Sequence, residues 1–208
     1  MAYKEKYPSL LLENAVEAIS SLPGVGKRSA LRLALYLLRQ PSENVHHFTE
    51  SINALRDKVC YCRKCRMISD SEECSICSDK SRRGDQICVC ASVRDVMSIE
   101  ATGQYHGVYH VLGGIISPIA GVGPSDLSIS DLVERLRGCE NPSATEVIFA
   151  LSGDVEGETT AFYIYRQIER FGVKVTSLAR GLGFGDDLEY ADSLTLGRSI
   201  AGRQPFKV

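Results

Sequence analysis

No stretch of 18 apolar residues occurs in the 208-residue chain, which leaves out a membrane-spanning helix. Nor does the opening, MAYKEKYPSLLLENAVEAIS, carry the apolar core of a secretory signal: it is charged and its apolar stretch breaks at Glu13. Internal repeats and low-complexity tracts are missing, so solenoids and tail-like segments are set aside. Net charge is nearly missing too, at −2 from 24 Lys/Arg and 26 Asp/Glu. That balance at first speaks against a nucleic-acid partner. What is present is enough apolar material, 44%, for packed cores in one large domain or a few small ones.

The charge is unevenly placed. Residues 1–66 hold 11 Lys/Arg against 6 Asp/Glu, a local +5, and the remainder holds 13 against 20, a local −7. A basic front suits a polyanion and an acidic rear suits a different partner. Cysteine is clustered as well: seven of the eight lie between Cys60 and Cys90. In a chain with no export signal this points to a metal or to reduced thiols in the cytosol, not to a disulfide framework.

Hydrophobic periodicity gives the coarse organisation. Leu11, Leu12, Ala15, Val16 and Ile19 share one face of a helix over 8–20, with Pro8 near its start. Leu22–Gly26 interrupts it, and a second helix runs over 27–39 through Ala30, Leu31, Ala34, Leu35 and Leu38, ending at Pro41. A third, capped by Ser42, places Val45, Phe48, Ile52, Leu55 and Val59 at steps of three and four. Residues 60–80 have little periodicity. After them come four short apolar runs, Ile87–Cys90, Val108–Leu112, Val147–Leu151 and Val173–Leu178, which read as strands buried on both faces. Helical stretches separate them at about 92–102, 130–138 and 158–171. This alternation predicts an α/β unit with a mostly parallel sheet. The tail, 181–208, is rich in glycine and charge and reads as loops with a short strand or helix.

Leu22-Pro-Gly-Val-Gly-Lys-Arg-Ser-Ala joins the first two helices as a helix–hairpin–helix. Gly24 and Gly26 permit positive φ and close backbone approach. The free N–H groups opening the second helix, with its dipole, suit a phosphate, and Lys27, Arg28 and Arg32 add positive charge there. Nothing in this set reads base edges, so DNA binding through it is expected to be independent of sequence. The bland alternative is an αα-hairpin with a glycine turn. His46 and His47, side by side on the third helix, read as solvated surface.

Cys62-x2-Cys65 and Cys74-x2-Cys77 stand eight residues apart. Two CxxC pairs supply a closed four-thiolate set for one Zn²⁺, with no position left for water, which means a structural ion. The competing reading is a redox CxxC, which does not come as a matched pair. Cys60 competes with Cys62 as ligand, and the spacing favours Cys62. Cys88, Cys90 and Cys139 read as buried or unreactive thiols.

Asp154, Glu156 and Glu158 follow the third apolar run, at a strand end and helix start, where α/β sheets place their sites. Mg²⁺ is one reading. Acids that merely complement a helix dipole are the other. Two-metal phosphoryl chemistry needs further acids from another strand, and Ile87-Cys-Val-Cys-Ala91-Ser92 supplies none. The glycines around Ser117-Pro118 are too weak a pattern for a nucleotide site.

Taken in order, LPGVGKRSALRLA, the four-cysteine knuckle, GDQICVCAS, VLGGIISPIAGVGPSDL, DVEGETTA and TLGRSIAGRQPF resemble the RecR family of bacterial recombination mediators over nearly the whole chain. The resemblance implies a multidomain α/β protein: a helix–hairpin–helix DNA-binding domain over 1–58, a zinc finger over 59–80, a Toprim domain over 81–180 and a C-terminal segment over 181–208. It further implies a ring-like homotetramer that clamps DNA in the cytoplasm, at the nucleoid. It implies partnership with RecO and RecF, with Arg28 and Arg32 on DNA, Lys27 beside them, and Asp154, Glu156 and Glu158 facing protein partners. Toprim enzymes carry a glutamate where this chain has Ala91, and an aspartate where it has Ser152. Those replacements favour a protein without catalysis over a metal-dependent nuclease or a topoisomerase-like enzyme.

Overall fold

A computed structural model of the chain describes residues 7–179, 181–183, 185 and 187–203. The last five residues of the expected C-terminal segment, 204–208, lie outside the described residues. The chain divides into two compact units, Met1–Lys58 and Val59–Val208.

The first unit is helical: α1 (Leu10–Ser20), α2 (Lys27–Leu38) and α3 (Ser42–Lys58). Ser9 is the N-cap of α1, so Pro8 precedes the helix instead of opening it. Ser42 is the first residue of α3 and not its cap; the Pro41 carbonyl accepts from the Asn44 and Val45 amides. Val16, Ala30 and Ala34 are buried between α1 and α2, with Leu12, Ile19, Val25 and Leu31 packed around them. Alanine at two contact positions of α2 lets the helix axes come close. The periodic apolar face of α3 is a different matter, because α3 contributes no buried residue.

The second unit begins with a short antiparallel pair, β1 (Cys60–Tyr61) and β2 (Ile68–Ser69), and a single helical turn, α4 (Ser75–Ser78). Then follow β3 (Arg83–Cys90), α5 (Val93–Glu100), β4 (Gly107–Val111), α6 (Ile129–Arg137), β5 (Glu146–Ala150), α7 (Val155–Ile168), β6 (Lys174–Ser177) and α8 (Ser193–Ala201). The last four strands form one parallel sheet in the order β4-β3-β5-β6. This is the α/β alternation read from the sequence.

Alternation along β3 sorts its side chains to the two faces. Ile87 and Val89 join Leu132, Leu136, Ile164 and Ile168 on one side, and Cys88 and Cys90 join Val96, Tyr109 and Val111 on the other. The strand therefore has a core on each face, as its unbroken apolar run requires. At its end Ser92 and Asp95 form a reciprocal capping box that turns the chain into α5. β6 departs from the expectation of two-sided burial: it is an edge strand with β5 as its neighbour, and its residues are half-buried or exposed.

His110 sits fully buried on β4. Its Nε2–H donates to the Ser128 carbonyl at 2.7 Å, and Nδ1 has no partner among the described residues. Burial holds its pKa down at about 4, against an ordinary value of 6.5. The unfolded chain therefore takes up the proton first as pH falls, so the stability present above pH 6.5 is lost between 6.5 and about 4. The loss from this group amounts to roughly 3 kcal/mol. Urea unfolding at pH 7 and pH 4.5 is expected to show a smaller pH-dependent loss in His110→Gln than in the parent chain; equal losses would place the proton uptake elsewhere.

Candidate functional site

The hairpin turn is built from Leu22 to Gly26. The Val25 amide donates to the Leu22 carbonyl at 3.1 Å, and Gly24 carries φ +81°, which only glycine adopts without strain. Gly26 does not use the left-handed region; at φ −78° and ψ 161° it is the N-cap of α2, and its carbonyl accepts from Ala30 at 2.9 Å. Gly26 brings no side chain to cap the helix, and the first turn of α2 holds no acid. Its opening N–H groups thus face outward beside Lys27, Arg28 and Arg32, all three exposed. The arrangement offers positive dipole and positive side chains together.

The sulfurs of Cys62, Cys65, Cys74 and Cys77 all lie within 4.8 Å of one another, three of the residues buried and Cys77 half-buried. Among the described residues they are the one group of His, Cys, Asp or Glu gathered closely enough to hold a metal. Tetrahedral zinc, with bonds of about 2.3 Å, separates its sulfurs by about 3.8 Å. Cys65 and Cys74 stand 3.5 Å apart, so the set fits one structural zinc. The Cys74 amide donates to the Cys62 sulfur at 3.3 Å. Cys60 is turned away: its thiol donates to the Ser69 and Ser71 carbonyls at 3.2 and 3.1 Å. The Cys77 thiol is held down at about 6, first by a hydrogen bond from Cys65 and then by the Arg135 guanidinium. Cys65 is pushed up by the same hydrogen bond and by burial. Four such thiols bind a dication as thiolates, so zinc binding would release their protons.

What sequence reading missed is how the knuckle is fixed to the sheet. Arg66 takes φ +62° directly after the first CxxC, and its amide donates back to the Cys62 carbonyl at 2.9 Å. Its guanidinium forks onto Asp131 at 2.9 and 2.6 Å. Arg135 donates to the Tyr109 carbonyl at 2.7 Å, and the Val111 amide donates to the Cys65 carbonyl at 2.8 Å. The partners lie tens of residues apart, so no local signal marks them.

The three acids are brought to one region without converging. Asp154 is the N-cap of α7, accepting from the Gly157 amide at 2.7 Å and the Ser152 hydroxyl at 3.0 Å. Glu156 accepts from the Ser117 hydroxyl at 2.6 Å. Glu158 is exposed and borders a groove beside Phe162 and Tyr165. A Cβ on Gly157 would overlap the Ser152 carbonyl, which explains the glycine between the two glutamates. Ala91, at the end of β3, adds no charge. Among the described residues, then, no carboxylates converge at the strand end as a metal site would need.

Comparison with known proteins follows the same order along the chain. Residues 12–56 match the family described as RecR, helix-hairpin-helix, and residues 59–79 match the RecR zinc finger domain of four cysteines. Residues 85–179 match Toprim domain, and residues 181–204 match RecR, C-terminal. The chain is 52% identical over 202 residues to the recombination protein RecR of Porphyromonas gingivalis, covering 97% of this chain and 96% of that one. It is 53% identical to the proteins of the same name from Bacteroides thetaiotaomicron and Flavobacterium psychrophilum, covering 97% of each partner in both comparisons. Cys74→Ser is expected to lower bound zinc well below one ion per chain, read by native mass or elemental analysis. One ion still held per chain would contradict the ligand set.

Proposed function

Because the chain belongs to the RecR family, we propose that it is a non-catalytic recombination mediator in DNA repair. In this reading it forms a clamp-like homotetramer on DNA, in the cytoplasm at the nucleoid, and acts with RecO and RecF to load the recombinase. The domain limits are those expected from the sequence: 1–58, 59–80, 81–180 and 181–208. Arg28 and Arg32, with Lys27 beside them, hold phosphates. Asp154, Glu156 and Glu158 face the protein partners.

One observation carries the reading: the glycine turn opens a helix whose first turn has outward N–H groups and exposed basic side chains, and no acid. Phosphate is the group that such a set holds best, and none of it reads bases. Replacing Arg28 and Arg32 by Ala is expected to weaken binding to every DNA sequence alike. The slope of log affinity against log salt becomes shallower by about 0.7–0.9 for each phosphate that the variant no longer neutralises. Unchanged affinity at low salt defeats the assignment.

Self-association has its own support. Phe48, Ile52 and Leu55 of α3 are more than half exposed, and Leu11, Leu12, Leu35 and Leu38 border a groove of about 730 Å³ in the same unit. A helix with an apolar stripe and no buried residue needs a cover, and a second copy supplies one. Phe48→Glu with Ile52→Glu is expected to shift the native mass to a smaller species. An unchanged mass moves the interface off α3.

A further inference from the structure

The loop between β4 and α6 ends in a tip that the rest of the structure does not use. Ser117 and Val122 exchange both backbone hydrogen bonds, at 3.0 and 2.9 Å, and close a small hairpin. Within it the Gly121 amide donates to the Pro118 carbonyl at 3.2 Å, and the Ala120 amide donates to the Ser117 hydroxyl oxygen at 3.2 Å. The base is tied to α7 twice. Ser117 donates to Glu156 at 2.6 Å, and the Ile116 amide donates to the Thr160 hydroxyl oxygen at 2.9 Å. Ile116 and Ser117 are buried.

All of this order holds one apolar side chain in water: Ile119 is 97% exposed. Val155, the residue before Glu156, is 81% exposed. In sequence, the two exposed aliphatic residues stand close to the partners of the Ser117–Glu156 hydrogen bond, Ile119 two residues after Ser117 and Val155 directly before Glu156. A loose loop would fold such a residue away at little cost; a hydrogen-bonded tip cannot. A rigid, pre-ordered apolar residue loses little freedom when it enters a pocket, which is how binding anchors work.

The surroundings say what kind of partner fits. From 95 to 134 and from 138 to 165 the chain has no Lys or Arg. Asp154 caps α7, Glu156 and Glu158 stand on its first turn, and Asp126 accepts from the Gly123 amide at 2.8 Å directly after the tip. The Arg198 side chain reaches the Gly153 carbonyl at 2.9 Å, one cation beside three acids of α7. This sign repels nucleic acid and attracts a basic protein surface.

We propose that the Ser117–Val122 tip is the docking point for a protein partner, with Ile119 as an anchor that enters an apolar socket rimmed by Lys and Arg. The proposal rests on the partner reading above, and RecO is the probe. Titration calorimetry of RecO into the full-length chain should show Ile119→Ser weakening the complex about ten- to hundred-fold, the loss of one buried aliphatic side chain. Ile119→Val should stay within about three-fold, in line with one methylene. Zinc content and DNA affinity should match the parent in both variants, and added salt should weaken the parent complex. Equal RecO affinity in Ile119→Ser, with Glu158→Lys still impaired, overturns the tip alone and leaves the acidic surface standing. If the parent chain fails to bind RecO, both the tip and the partner reading fall.

Discussion

Four thiols within 4.8 Å of one another are the constraint on which residues 59–80 depend. That segment has two strands of two residues and one helix of four, each far too short to persist alone. Its buried hydrophobic cluster is made of three of the cysteines themselves. A cluster of thiolates repels itself and a cluster of thiols holds little together, so the fold of the knuckle requires a cation bound by all four. Once fixed, the knuckle becomes a rigid part of the sheet's surroundings. Its Cys65 carbonyl takes the Val111 amide at the outer side of β4, an edge that otherwise offers free backbone groups to other chains. Arg66 and Arg135 complete the attachment from opposite directions: Arg66 reaches Asp131 on α6, and Arg135 of α6 donates to the Lys64 carbonyl of the knuckle and the Tyr109 carbonyl of β4.

How much of this was legible depends on distance along the chain. The CxxC pairs are local, and spacing alone picked out the four cysteines that the fold gathers. Spacing also favoured Cys62 over Cys60, and the register of β1 against β2 turns Cys60 onto Ser69. Helix periodicity was also local, and α1, α2 and α3 fall where it placed them. Burial was not. An apolar stripe reports a face that wants cover, without saying what covers it, and so α3 is a helix with no core of its own. The pairs Arg66–Asp131 and Ser117–Glu156 join residues 65 and 39 positions apart. Only the parallel crossovers bring them together, and no pattern within a window of residues encodes that. The edge position of β6 was partly legible, since Lys174, Thr176 and Ser177 interrupt its apolar run where Ile87–Cys90 and Val147–Leu151 carry no such residues.

The acids of α7 are held apart by bonds to their own surroundings. Metal catalysis needs oxygens that converge on one point from more than one strand. Here Asp154 is taken up by capping, Glu156 by Ser117, and the residue that follows β3 is Ala91. Each bond orders the backbone around it. Asp154 and Glu156 act as structural fasteners and still leave negative charge at the strand end, which is what the proposed contact with a basic protein surface draws on.

Charge separation ties the two halves of the reading together. A net charge of −2 says little about DNA, because a phosphate senses the groups within about 8 Å at physiological salt. At the hairpin those groups are Lys27 and Arg28 with no acid in the first turn. At the Ser117–Val122 tip they are chiefly the acids of α7. In the proposed reading, opposite signs at the two places would let one chain hold a polyanion and a basic protein at once, each contact disfavouring the other's ligand. Binding to phosphates alone would bring no choice of site by itself. In that reading the choice falls to the protein partner, and the rigid apolar tip in its acidic setting is the proposed element that makes it.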